Sequence, residues 1–279
     1  MTTPAYLAHF GLSAAPFSKE VADADLWLPT SKTAVVEELC EALGNRASVV
    51  LTGEPGVGKT CVLRALRHAL GSSQAFRLTY CHNVTLGRRD FYRHLCHCLG
   101  IAYGSTAGDV FLSVSKHVEE LSRERALPVL VVDEAHLLHQ DTLDHLHILL
   151  NYSWDSRSLL SLILIGLPDL DERLAMRRNR SLYSRLHYRL SIEPLSPDDT
   201  ADYVRARLAA AGATKELFSS DAIAILHEAA SGSLRDIDRV AHKALRFTAR
   251  KKRKLVERDV VQAVLQADGY AGGYAGGAP

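Results

Sequence analysis

The sequence predicts an α/β fold: a parallel five-stranded sheet carrying a glycine-rich loop, followed by a small all-helical domain. Three observations predict it. Short, continuous apolar runs alternate with helical stretches as far as Pro194, as strands buried on both faces require. The segment GEPGVGKT (53–60) fits G-x-x-x-x-G-K-[ST] in full. Beyond Pro194 the pattern is helical only.

The elements follow in order. SVVLTG (48–53) reads as the first strand, and a helical pattern runs from Lys59 to about Leu70. FRLTYC (76–81) is the second strand, and residues 89–99 and 109–125 have helical periodicity. LPVLVVDE (127–134), LLSLILIG (159–166) and the shorter RLSIEPL (189–195) supply the remaining strands. In SPDD (196–199), Ser196 is an N-cap, Pro197 sits at the first helical position and Asp199 completes a capping box. That helix ends at Gly212; another starts at Ser219 or Ser220 and reaches about Ala230. In GSLRD (232–236), Ser233 can cap with Asp236 three residues on, and a last helix covers about 256–266. The expected domains are an N-terminal segment (1–45), the core (46–195), a helical lid (196–268) and a disordered Gly-rich tail (269–279) with too little apolar content to fold.

Bulk properties set limits. Of 279 residues, 47% are hydrophobic, enough for a sizeable core. With 33 basic and 32 acidic residues the formal charge is +1, which excludes coating nucleic acid by bulk charge but not a local basic face. No apolar run approaches the roughly 20 residues that span a bilayer. MTTPAYLAHFGL lacks the basic and apolar regions of a secretory signal. The five cysteines, Cys40, Cys61, Cys81, Cys96 and Cys98, suggest no disulfide frame, and a cytoplasmic location is expected. Cys96 and Cys98, near His94 and His97, invite a metal reading. On a helix of about 3.6 residues per turn, however, side chains two apart diverge by roughly 200° and cannot share an ion. The histidines after Asp133 (His136, His139, His145 and His147) read as surface or packing residues.

The chemistry lies in two motifs. Gly53, Gly56 and Gly58 let the backbone of 53–60 curl its N–H groups towards phosphate, and Glu54, Pro55, Val57 and Cys61 complete the cradle. Lys59 should reach the β- and γ-phosphates of ATP, and Thr60 should ligate Mg²⁺. VLVVDEAH (129–136) delivers Asp133 to the sheet edge beside this loop, where it would hold the Mg²⁺ shell, and Glu134 would polarise the attacking water. DEAH also occurs in superfamily-2 helicases, but this chain is too short for their second RecA-like domain.

A β–α core with both motifs and a helical domain resembles the AAA+ ATPases. The resemblance implies two further arginines. GSLRDIDRV (232–240) has the form of a sensor 2 helix, which makes Arg235 the candidate contact to the γ-phosphate of its own subunit. YSRLHYRL (183–190) matches the arginine-finger position, so Arg185 would reach a neighbouring subunit's phosphate, and hydrolysis would be slow and assembly-dependent. The polar sensor 1 of many relatives is missing: ILIGLPDL (163–170) has Leu167 and Pro168 there, and Asn151 is a weak substitute.

FGLSAAPF (10–17), DEAHLLHQDTLDHLHILLN (133–151) and IGLPDLDERL (165–174) are similar to the ExeA-like branch. That resemblance implies that WLPTSKTAVVEEL (27–39) forms part of the adenine pocket. Secretion-associated members are longer, with a membrane span and a peptidoglycan-binding region. The short members are similar to the TniB- and TnsC-type transposition regulators, and this group is the expectation. The chain would assemble on double-stranded DNA, as a homo-oligomeric ring or helical filament without a membrane partner, and recruit a transposase. The alternative is a protein-remodelling or secretion-linked ATPase that does not bind DNA. DNA contacts, to phosphates and so insensitive to sequence, are sought at Arg88 and Arg89 in the loop after the second strand, which read equally as a solvated helix start, at Arg93, and at Lys116. ARKKRK (249–254) is a further basic run.

Overall fold

A computed structural model describes residues 4–269 apart from Ser72 and Asn83. The predicted tail, beyond Gly269, lies outside the described residues. In chain order the elements are α1 (Ala5–Phe10), α2 (Thr30–Gly44), β1 (Ser48–Gly53), α3 (Lys59–Leu70), β2 (Phe76–Cys81), α4 (Arg88–Leu99) and α5 (Ala107–Arg123). Then follow β3 (Leu127–Val132), α6 (Gln140–Leu146), β4 (Ser161–Gly166), α7 (Asp169–Ala175), α8 (Arg180–Tyr183) and β5 (Leu186–Ile192). The last helices are α9 (Pro197–Ala210), α10 (Ser220–Ala230), α11 (Leu234–Arg250) and α12 (Arg258–Ala267). The chain forms two compact units.

The sheet unit comprises Ser31–Glu54 and Lys59–Ile192. All strand pairs are parallel, in the order β2-β3-β4-β1-β5. The central β3 and β4 are buried at every residue, so LPVLVV and SLILIG can be apolar throughout. The edge strand β5 alternates in burial, as a half-exposed strand should. It begins at Leu186 rather than Arg189, because buried Leu186 pairs with Ser48 before the register shifts between Ser48 and Val49. Asp133 is not next to the loop's own strand: β4 separates β3 from β1. Phe91, Leu95, Val114 and Val118 of α4 and α5 pack with Leu130 and Val132 in one apolar core.

The helical unit comprises residues 4–30, Pro55–Gly58 and the chain from Glu193. Ser196 accepts from Asp199 N–H at 3.1 Å and Asp199 returns a contact to Ser196 N–H, the capping box read from SPDD. Ser219 and Ser233 cap α10 and α11 in the same way, each accepting one N–H. The expected N-terminal segment 1–45 divides. Residues 4–30 join the helical core through Tyr6, Leu7, Leu12 and Phe17, whereas α2 goes with the sheet. Buried Arg207 of α9 fixes this arrangement, donating to Pro16 O at 2.7 Å and Ser18 O at 2.6 Å. Trp27 packs on Tyr203 at 5.5 Å. Among the described residues, no helix is long and apolar enough to cross a membrane.

Candidate nucleotide site

Gly53 ends β1 and opens the loop. Gly56 and Gly58 take left-handed φ angles of 83° and 104°, which residues with a Cβ adopt only at a cost. Val57, between them, is buried and pins the loop. The tip Pro55–Gly58 belongs to the helical unit, where Arg235 N–H donates to Gly56 O at 3.3 Å. A methyl on Gly56 would overlap the Ser233 hydroxyl. Gly56→Ala is therefore expected to cost about 1–2 kcal/mol from the left-handed backbone alone and more from the overlap, measured as a lower melting temperature. The Arg235 side chain is exposed at the first turn of α11.

Lys59 opens α3, and its Nζ donates to Gly53 O at 2.6 Å and Glu54 O at 3.0 Å. The ammonium is thus held over the loop's own carbonyls. Thr60 and Cys61 complete the first turn, with Thr60 exposed and Cys61 half-buried. The first turn of a helix turns its backbone N–H groups outward, a place that favours an anion.

At the end of β3, Asp133 N–H donates to Cys81 O at 3.0 Å, which sets the carboxylate at the sheet's C-terminal edge. Oδ1 accepts from Glu134 N–H at 2.9 Å and Oδ2 from the Tyr80 hydroxyl at 2.5 Å. Tyr80 was not foreseen; only the in-register pairing of β2 with β3 places it there. Burial, then the hydrogen bond to Asp133, pushes its hydroxyl well above the ordinary tyrosine range, so it stays a donor. Glu134 has a left-handed φ of 54°, a strain found at sites where geometry is over-determined. Its carboxylate is exposed and lies 3.6 Å from His136 Nδ1. His136 is largely buried, closer to a packing than to a surface residue, and a Cβ on Gly166 would press on it. Arg173 secures this turn, donating to His136 O at 2.7 Å and Leu138 O at 2.6 Å. A polar ring beside Glu134 therefore stands at the end of β4, where Leu167 and Pro168 offer none.

Arg185 lies between α8 and β5, partly buried, and donates to Asp155 Oδ2 at 2.6 Å and Ser181 O at 2.8 Å. Asp155 ends three consecutive left-handed residues, Ser153, Trp154 and Asp155, and the Trp154 ring is fully exposed. Arg189 lies over the Tyr183 ring at 3.9 Å and 3.7 Å from Asp171, a bracing position.

Arg88 and Arg89 are not in a loop: they form the first turn of α4, after the N-cap Gly87. Two exposed cations there oppose the helix dipole. With Tyr92, Phe111 and His145 they line a groove of about 250 Å³. Arg89 donates to Ser105 O at 2.9 Å, and Arg93 reaches the same carbonyl at 3.5 Å and Asp90 at 3.5 Å. Lys116 is exposed on α5, one turn before Glu119 and Glu120, and does not line that groove.

These residues fit an ATP–Mg²⁺ pair. Within the sheet unit, Lys59 opens α3 after β1 and Asp133 with Glu134 follows β3, both at the C-terminal ends of parallel strands.

Residues 43–174 match the family model described as an AAA domain. The chain is 32% identical over 265 residues to General secretion pathway protein A of Aeromonas hydrophila, covering 94% of this chain and 48% of that protein. It thus spans about half the length of that curated relative. Cdc6p from Pyrobaculum aerophilum superposes with a TM-score of 0.70 at 20% identity, over 90% of this chain and 70% of that one. The structure of Drosophila ORC bound to DNA gives 0.70 at 21% identity, over 97% and 67%. At such identities the structural likeness speaks for the fold alone. The five-stranded parallel sheet, its glycine loop and the helical C-terminal part give this chain an AAA+ P-loop fold.

Proposed function

We propose that the chain is an ATPase that assembles on duplex DNA in its ATP-bound state, without sequence preference, and presents that DNA to a transposase. ATP use rests on one observation: Lys59 after β1, and Asp133 with Glu134 after β3, stand on the same C-terminal edge of a parallel sheet. The backbone of Gly53–Gly58 and the first turn of α3 would hold phosphate oxygens, with Lys59 turning from its carbonyls to the β- and γ-phosphates. Thr60 and Asp133 would hold Mg²⁺, which when bound neutralises charge on the phosphates. Tyr80 keeps Asp133 aimed, and Glu134 takes up the proton of the attacking water. Arg235 serves as sensor 2 in its own subunit and Arg185 as the finger lent to the next. Residues 27–39 flank the adenine.

DNA binding is supported by Arg88 and Arg89, cations held against a helix dipole beside a groove, with Arg93 one turn on and Lys116 as a secondary contact. Drosophila ORC, of the same fold, is bound to DNA. The transposase partner rests on the likeness of FGLSAAPF and DEAHLLHQ to the ExeA-like branch, whose short members are similar to the TniB- and TnsC-type regulators, and a cytoplasmic location rests on five cysteines without a disulfide frame.

The second reading, a secretion-linked ATPase indifferent to DNA, is favoured by the 32% identity to General secretion pathway protein A. Negative-stain microscopy with and without duplex DNA, in ADP and in a slowly hydrolysed ATP analogue, separates the two. Rings or filaments threaded by DNA only with the analogue are expected, and Lys59→Ala should remove the nucleotide dependence. Assemblies identical with and without DNA would establish the second reading instead.

A further inference from the structure

β2 ends at Cys81, whose side chain is fully buried. Facing it, α4 presents His94 and Cys98, four residues apart and so on one side of the helix. The ligand atoms of Cys81, His94 and Cys98 all lie within 4.8 Å of one another. Cys98 Sγ is 3.5 Å from His94 Nε2. Cys96, in contrast, turns away to donate to Val110 O at 3.8 Å. The divergence of Cys96 and Cys98 is therefore real, but the partner of Cys98 is a cysteine of the neighbouring strand.

We propose that Cys81, His94 and Cys98 are a binding site for a thiophilic divalent cation of the Zn²⁺ class. In tetrahedral coordination, with bonds of about 2.3 Å to sulfur and 2.0–2.1 Å to nitrogen, ligand atoms stand about 3.5–3.8 Å apart. The Cys98–His94 pair already has that spacing, and the Cys81 Sγ lies within 4.8 Å of both. Two thiolates and a neutral imidazole around a dication sum to no net charge, which suits a largely buried place. Each thiol gives up its proton to solvent as the ion binds. His82 is exposed with its ring 5.6 Å from that of His94, edge to face, and can supply the fourth ligand in place of water. The ion would tie α4, which carries Arg88 and Arg89, to the strand end whose Cys81 carbonyl receives Asp133 N–H.

The test uses the full chain, reduced with a phosphine and stripped by a chelator, then titrated with Co²⁺. One equivalent should bring up the visible d–d bands of a tetrahedral site and thiolate-to-cobalt charge transfer, and Zn²⁺ should bleach both. Cys98→Ser and His94→Ala, at half-buried positions, should each lose or shift these bands while far-ultraviolet circular dichroism stays native; Cys96→Ser should leave them unchanged. No Co²⁺ spectrum overturns the site, and so does a spectrum lost equally in Cys96→Ser. A Cys81–Cys98 disulfide that persists in protein purified under metal-replete reducing conditions also overturns it.

Discussion

Arg185→Ala is expected to lower ATP turnover of the assembled protein by about 10³-fold or more, within the 10³–10⁵ that finger arginines contribute to phosphoryl transfer, with nucleotide affinity little changed. In the isolated chain Arg185 is held by Asp155 and Ser181 O. Over half of the Asp155 side chain is exposed. A pair with one exposed partner is worth on the order of 1 kcal/mol, a small barrier to transferring the guanidinium to a neighbour's phosphate. Two comparisons separate a finger from a loop brace. Asp155→Ala frees the arginine and should preserve turnover, whereas a bracing role predicts equal losses in both variants. Turnover per subunit of the unaltered chain should also climb with protein concentration; constant specific activity in a verified monomer would remove Arg185 from the mechanism.

Glu134→Gln should retain ATP binding and lose about 10²–10⁴-fold in hydrolysis, the usual contribution of a positioned general base. The substitution keeps shape, so neither the left-handed backbone at φ 54° nor the Arg173 contacts behind it should change. An unchanged melting temperature checks that. Single-turnover phosphate release measures the chemical step, and nucleotide retained after rapid gel filtration measures trapping. Normal hydrolysis in this variant would move the water-polarising role elsewhere, with His136, 3.6 Å from Glu134, the first residue to examine.

The parts legible in the sequence share one property: their cause is local. Strands β1, β3 and β4 were marked by apolar runs because burial on both faces requires apolar residues at successive positions. The loop 53–60 was legible because glycine positions and a lysine must be contiguous to wrap phosphate. The Ser196–Asp199 box was legible because a cap satisfies N–H groups three residues away. Arg88 shows the limit of such reading: the helix starts one residue earlier than its periodicity suggested, so Arg88 joins Arg89 at the helix start.

What the sequence by itself determined is the phosphate loop, the acidic strand end and the alternation that makes a parallel sheet followed by helices. What only the tertiary structure decided are the long-range pairings. Sheet order set β4 between β3 and β1 and brought Tyr80 to Asp133; the facing of β2 and α4 brought Cys81 to His94 and Cys98; Arg207 drew residues 16–18 into a helical core formed mostly from the other end of the chain. Periodicity reports which face of an element is buried, whereas the partner on that face is selected by packing among segments far apart in sequence.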